Sequence, residues 1–283
     1  MLYPSQYYCT FFRLLVQVLI SLAICFPVLS KASTLFIKNT GEHENTYIRK
    51  LINESIGQHY TPTLSLRVFP EKLTKERMLR ELGKGFIDVA WTTESVRFRN
   101  NSIEIPIALF NNLFGHRLLL IRKGEQYKFD NISSVDDLSN LLGGQGNQWR
   151  DTSVLKSSGL QIVTATDADI LTGMLLSERI DYFPRALHEA WLELKEHSSL
   201  TVENNLMLVY QQPVYFYVTP KKPKLAKALL QGLTRLQNSG QLNNFFNDNS
   251  FIQKTLRLSN IKNRKALLLE NDYRPTSLHT LRN

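Results

Sequence analysis

A chain of 283 residues, 43% apolar and 21% charged, is long enough to bury one large core or two modest ones without covalent staples. Its formal charge of +9 at pH 7 is spread along the chain, with short concentrations at "PKKPKLAK" (220–227) and "NIKNRK" (260–265). No arginine-rich arm and no aromatic–basic RNA motif accompanies them, which argues against nucleic acid as a partner and leaves only a general attraction for anions.

The first 13 residues carry one charge, Arg13, and 14–29 ("LLVQVLISLAICFPVL") are almost continuously apolar before the small residues Ser30 and Ala32. That order predicts a secretory leader cut after Ala32. The apolar run is shorter than the ~20 residues that span a bilayer, and Pro27 interrupts it. Both cysteines, Cys9 and Cys25, fall inside the leader, so the exported chain is expected to form no disulfide, in keeping with a periplasmic location. Loss of Arg13 and Lys31 with the leader leaves +7 on the remainder.

Beyond the leader, "TLFIKN" (34–39) predicts a first strand, and the helix after it places Tyr47, Leu51, Ile52 and Ile56 at helical spacing. "TPTLSLRVFP" (61–70) alternates as a second strand, and "TKERMLRELGKG" (74–85) predicts a helix ended by glycine. "FIDVAW" (86–91) is a third, buried strand. Strand–helix–strand–helix–strand with short links implies parallel strands on right-handed crossovers. The theme then repeats. A long apolar strand at 116–122 leads to "SSVDDLSNLL", which opens with a serine followed three residues later by an aspartate, a helix start. Further helix–strand units follow, then a strand at 214–219 and long helices over 223–246. The reading is two α/β units joined by two crossing strands, with no low-complexity linker.

Between 141 and 160 the chain reads "LLGGQGNQWRDTSVLKSSGL". Trp149 stands where a dinucleotide loop needs its third glycine, and no Gly-Lys-Ser/Thr follows, so neither nucleotide motif is present. Glycines permit close backbone approach and positive φ, and the helix after them, capped by Asp151 or Thr152, would offer N–H groups to an anion. In that reading Gly146 brings the backbone close, Trp149 supplies a flat apolar wall, and Gln145 and Asn147 supply neutral hydrogen bonds. A loop that merely turns is the alternative. The facing half of a site is expected where the third strand ends, in "AWTTESVR" (90–97). There Trp91 can stack, Thr92 and Thr93 can donate, and Arg97 can pair with a carboxylate, with Arg99 as its competitor. Arg185 either faces the same cleft or pairs with Glu189 one turn along. Glu42 or His43 can add to the cleft from the loop after the first strand. Gly-x-Ser-x-Gly and His-Glu-x-x-His are absent and the six histidines are dispersed, so no catalysis, metal or cofactor is expected.

The strand "GFIDVA", the link Leu175–Leu176 with Glu178–Asp181, and the closing stretch Val214 through Gly240 together resemble bacterial periplasmic solute-binding proteins of the type 2 class. The nearest group is the extracellular family 3 that serves amino acids, and the resemblance covers about 34–250. It implies two Rossmann-like lobes with a hinge: leader 1–32, first lobe 33–117, second lobe 118–213, and a return to the first lobe with the C-terminal helices and tail over 214–283. The glycine run also resembles a lobe-two ligand loop of uncharacterised relatives. The implied function is non-enzymatic capture of a small polar, carboxylate-bearing solute by a monomeric periplasmic protein, offered to an ABC-type membrane permease or a sensor. A sensory or envelope-binding module on the same fold, or an enzyme on this scaffold, are the alternatives. Two departures stand out. Amino-acid binders place their arginine three residues after a threonine, whereas Thr93 and Arg97 are four apart. They also end the strand "DAvv.D" on a carboxylate for the ligand's amino group, where this chain has Pro184 and Arg185. An arginine there points to an acidic or neutral ligand. The tail "NIKNRKALLLENDYRPTSLHTLRN" has no counterpart in the family pattern.

Overall fold

The computed structural model describes residues 34–57, 64–93 and 96–271. The expected leader, with Cys9 and Cys25, lies outside the described residues. Strand β1 (Thr34–Ile37) alternates outward and inward, sending Leu35 and Ile37 into the core. Helix α1 (Glu42–Ile56) buries Tyr47, Ile48, Leu51, Ile52 and Ile56 along one stripe. After β2 (Ser65–Val68) comes α2 (Lys75–Lys84), whose first turn is closed by Thr74 Oγ1 accepting the Arg77 N–H. It stops at Gly85, in the left-handed region at φ +77°. "VAWTT" then forms β3 (Val89–Thr93), buried over its first four residues, followed by the short α3 (Val96–Arg99) and β4 (Ile103–Ile105).

Strand β5 (His116–Arg122) starts the second unit, and α4 (Val135–Leu138) opens on the expected Ser134–Asp137 capping box. There follow β6 (Leu142–Gly146), α5 (Arg150–Ser157), β7 (Gln161–Ala165) and α6 (Ala168–Leu176). Next come β8 (Phe183–Ala186), α7 (Leu187–Glu196), β9 (Leu200–Val202) and β10 (Leu206–Val209). The buried β11 (Val214–Val218) precedes α8 (Pro223–Asn238), α9 (Gln241–Asp248), α10 (Ser250–Ser259) and β12 (Lys265–Leu268).

One sheet runs β2-β1-β3-β11-β4, with β1, β2 and β3 parallel and β11 antiparallel to both its neighbours. The second runs β12-β10-β5-β8, with β9 also on β5. The parallel pair β6–β7 is tied to the second unit by a bridge from Gly143 to Tyr182. Period-two alternation decides what each face of β5 covers. Leu118 and Leu120 join the large core cluster, whereas Leu119 and Ile121 face a second cluster with Phe129, Tyr182 and Leu208.

The chain passes from the first sheet to the second over 106–115 and back over 210–213, and these two passages are bound side by side. Asn112 Nδ2 donates to Tyr210 O (2.9 Å), Asn112 Oδ1 accepts from Gln212 N (2.7 Å), and Tyr210 N donates to Gly115 O (3.0 Å).

Two expectations from the sequence are corrected here. The stretch after α10, grouped above with the first lobe, instead puts β12 parallel to β10 in the second sheet, with Leu267 and Leu269 buried. Burial alternates along "KALLL", with Leu267 and Leu269 inward and Leu268 outward, and the strand pairs with β10, distant in sequence. The glycine run is also no loop. Gly143, Gly144 and Gly146 lie inside β6, and none of them has positive φ. They are glycines because other side chains occupy their Cβ space. A Cβ at Gly143 would come within 3.0 Å of Tyr182, one at Gly144 within 3.0 Å of Ile180, and one at Gly146 within 3.0 Å of the Trp149 ring.

Candidate functional site

A cavity of about 730 Å³ opens between the two units, within the range of small-molecule sites. It lies at the carboxyl ends of β1, β3 and β6, where open parallel sheets present their loops. One wall holds Lys38, Glu44, Thr92 and Thr93. The other holds Asn147, Trp149, Thr166, Arg185 and Glu189, and Arg117 and Gln212 close the floor near the crossings.

The floor is a buried polar network. Arg117, at the start of β5, donates from Nε to the Tyr210 hydroxyl (2.8 Å) and from Nη2 to Asp151 Oδ1 (2.8 Å) and Gln212 Oε1 (2.9 Å). The Tyr210 hydroxyl in turn donates to Asp151. Burial pushes the Asp151 carboxyl up, but Arg117, Tyr210 and Gln212 outweigh it and hold the group below the usual carboxylate range. The network joins the outgoing chain, the returning chain and the first turn of α5. Asp151 therefore does not cap α5, and neither does Thr152, whose hydroxyl donates to Gly146 O (2.5 Å). The N-cap residue is Trp149, which makes no side-chain cap hydrogen bond.

On the second-unit wall, Trp149 stacks on Phe183 (6.3 Å, 21°). The Arg185 guanidinium lies 5.2 Å from the Trp149 ring and 4.9 Å from that of Phe183. Both of Arg185's expected roles are realised in part. It lines the cavity, yet it pairs with Glu189 (3.5 Å) and with Glu193. Two carboxylates already meet its charge, Glu189 as one expected alternative had it and Glu193 in addition. Gln145 lines the cavity but is 1% exposed, Gly146 is buried under the indole, and Asn147 is exposed. Substituting Ala for Gly146 is expected to dislodge the Trp149 ring, costing about 1–3 kcal/mol in urea denaturation and shifting tryptophan emission. An unchanged spectrum and midpoint would show the contact to be slack.

The first-unit wall differs more from expectation. Trp91 borders the cavity as expected, but it is 0% exposed, so its ring does not offer a face to a ligand. Its edge meets Phe216 (6.5 Å, 86°) and its Nε1–H donates to Glu44 Oε1. Lys38 Nζ donates to Trp91 O (2.5 Å) and lies 5.1 Å from the indole centre. Trp91 thus positions two charged groups that the sequence reading passed over. Thr92 is buried and Thr93 half-buried, both on the cavity wall. Arg97 lies outside the cavity, 66% exposed and 4.0 Å from Glu76, and it lines a separate hollow with Leu79 and Arg80. Arg99 pairs with Glu104 (3.4 Å). Helix α3 turns back beside β4 and carries both guanidiniums away. Glu42 and His43 do not line the cavity; His43 stacks on Phe251 (4.9 Å, 6°).

Lys38, Glu44, Arg117, Glu189 and Gln212 are the residues that sequence reasoning missed. Only Arg117 had a local signal, an arginine leading into the apolar run Leu118–Ile121. Among the described residues no group of three or more His, Cys, Asp or Glu could hold a metal ion, and no helix is long and apolar enough to cross a membrane.

No family model and no curated protein sequence matches the chain. Solved structures do. The probable amino-acid ABC transporter extracellular-binding protein ytmK from Bacillus subtilis is similar at 16% identity and a TM-score of 0.55, over 76% of this chain and 96% of that one. Substrate-binding domain 2 of Lactococcus lactis GlnP, in an open conformation, is similar at 13% identity and 0.51, over 79% and 97%. An amino acid ABC transporter substrate-binding protein from Streptococcus pneumoniae, bound to L-arginine, is similar at 12% identity and 0.51, over 76% and 92%. The shared feature is the α/β fold with two lobes.

Proposed function

We propose that this chain, built on the type 2 periplasmic binding fold, captures a small polar, carboxylate-bearing solute between its lobes and offers the closed form to an ABC-type transporter or sensor. The observation that carries this reading is the cavity itself, walled by both sheets and floored by the paired crossings. A ligand touching both walls binds the shut form better than the open one, and that differential affinity drives closure. Thr92, Thr93 and Asn147 supply hydrogen bonds, Gln145 and Asp151 support the wall behind them, and Trp149 with its stacked Arg185 forms an apolar-faced, charge-balanced side. Export through a leader cleaved after Ala32, a periplasmic location, a monomeric state and the absence of catalysis belong to the same proposal. So does the lobe division, with the last strand assigned to the second lobe. The L-arginine complex of the S. pneumoniae protein supports free amino acids as a first class to test.

Thermal unfolding against a panel of amino acids, dicarboxylates and small sugars tests the reading. Saturation at 100 times Kd adds about 2.7 kcal/mol, which for a chain of this size raises Tm by roughly 5–10 °C. A carboxylate-bearing compound is expected to give that shift. A panel with no shift at all sinks solute capture.

A further inference from the structure

The two walls of the cavity treat positive charge differently. Across from β1 and β3, Arg117 holds Asp151 and Arg185 holds Glu189 and Glu193. On the β1–β3 wall, the half-buried Lys38 has a neutral partner, the Trp91 carbonyl. Lys38 directly follows β1, and its backbone N–H donates to Val89 O (3.1 Å), which places the side chain at the carboxyl edge of the parallel strands. An ammonium carries three donors, and the carbonyl takes one. The carboxylate that offsets Lys38, Glu44, has its Oε1 engaged by the Trp91 indole.

We propose that the Lys38 ammonium is the group on the β1–β3 wall that receives the anionic group, carboxylate or phosphate, of the captured solute. This rests on the solute-capture reading. The groups that face Lys38 are Trp91 from β3, Glu44 from α1 and Lys75 from α2. Burial pulls the Lys38 ammonium down to about 8, opposed by Glu44 and reinforced by Lys75. The empty cavity therefore loses this proton as pH rises through 8, whereas a seated anion retains it. Affinity for an anion is full below pH 8 and falls above it, by about tenfold between pH 7 and pH 9 if the bound ammonium stays protonated throughout. Lys75, also pulled down by burial, serves as a control position.

The test is calorimetric titration of the full chain with succinate, L-glutamate and inorganic phosphate, and with uncharged succinamide. At least one anion is expected to bind at pH 7 and to weaken about tenfold by pH 9; the carboxylate and phosphate arms tell the two chemistries apart. Lys38→Met should lose more than about 30-fold. Lys38→Arg, whose charge does not titrate in this range, should keep affinity within a few fold and flatten the pH profile. Glu44→Gln should move the midpoint below pH 8, and Lys75→Gln should move it above pH 8 while the loss of affinity at higher pH persists. Wild-type affinity in Lys38→Met, a slope that survives in Lys38→Arg, or binding of succinamide alone overturns the Lys38 assignment and leaves solute capture standing. No binding by any of these probes, together with no thermal shift across the wider panel, overturns both. Should Lys38→Met fail to fold, the Lys38→Arg profile decides.

Discussion

Asp151→Asn is expected to lower the unfolding free energy by about 3–5 kcal/mol. The substitution keeps shape and removes charge, leaving the buried Arg117 guanidinium without its carboxylate while its contacts to Tyr210 and Gln212 remain. Urea denaturation measures the loss, and a change below about 1 kcal/mol would show that the pair behaves like a surface ion pair. Arg117→Met combined with Asp151→Asn should recover much of the loss, because a buried charge pair replaced as a unit leaves no orphan. The same carboxyl makes stability depend on acid. Its folded pKa is depressed, so its contribution is full above the unfolded value of about 3.9 and disappears as pH falls through the folded one. The acid limb of the stability profile should accordingly be flatter in Asp151→Asn.

Gly115→Ala should cost about 3 kcal/mol and loosen the paired crossings. The new Cβ would come within 3.0 Å of Tyr210 O and of both side-chain polar atoms of Asn112. None of these can retreat freely, because Asn112 Nδ2 donates to that same carbonyl and Asn112 Oδ1 accepts from Gln212 N. Gly115 is not a positive-φ residue; close approach alone requires it. Gly173→Ala is the internal control. Nothing lies within 4 Å of its Cβ position in the middle of α6, so the higher helix propensity of alanine should leave stability equal or raised by up to about 1 kcal/mol. Equal midpoints for the two variants would contradict the packing account.

The secondary structure was legible wherever the cause was local. The serine–aspartate helix start, the glycine stop at Gly85 and the inward stripe of α1 all formed as read. Trp149 and Asn147 do face the cavity. Trp91 and Arg97 were misjudged for one shared reason, that a side chain's exposure depends on what arrives from elsewhere in the chain, whereas Arg185 fulfils both of its expected alternatives, lining the cavity and pairing with Glu189. Glu44 reaches Trp91 across 47 positions, and Gln212 reaches Arg117 across 95. The glycine run misled in the same way, because its residues are small to admit Tyr182, Ile180 and Trp149 rather than to turn the chain.

Hydrophobic period, capping residues and glycine stops act within a few positions, so the amino-acid order alone determined the alternation of strands and helices and the doubling of the α/β unit. Which cations stay uncompensated at the cavity, and which sheet takes the final strand, were decided only when distant segments met. Burial and pairing are properties of the assembled core, and no local stretch contains them.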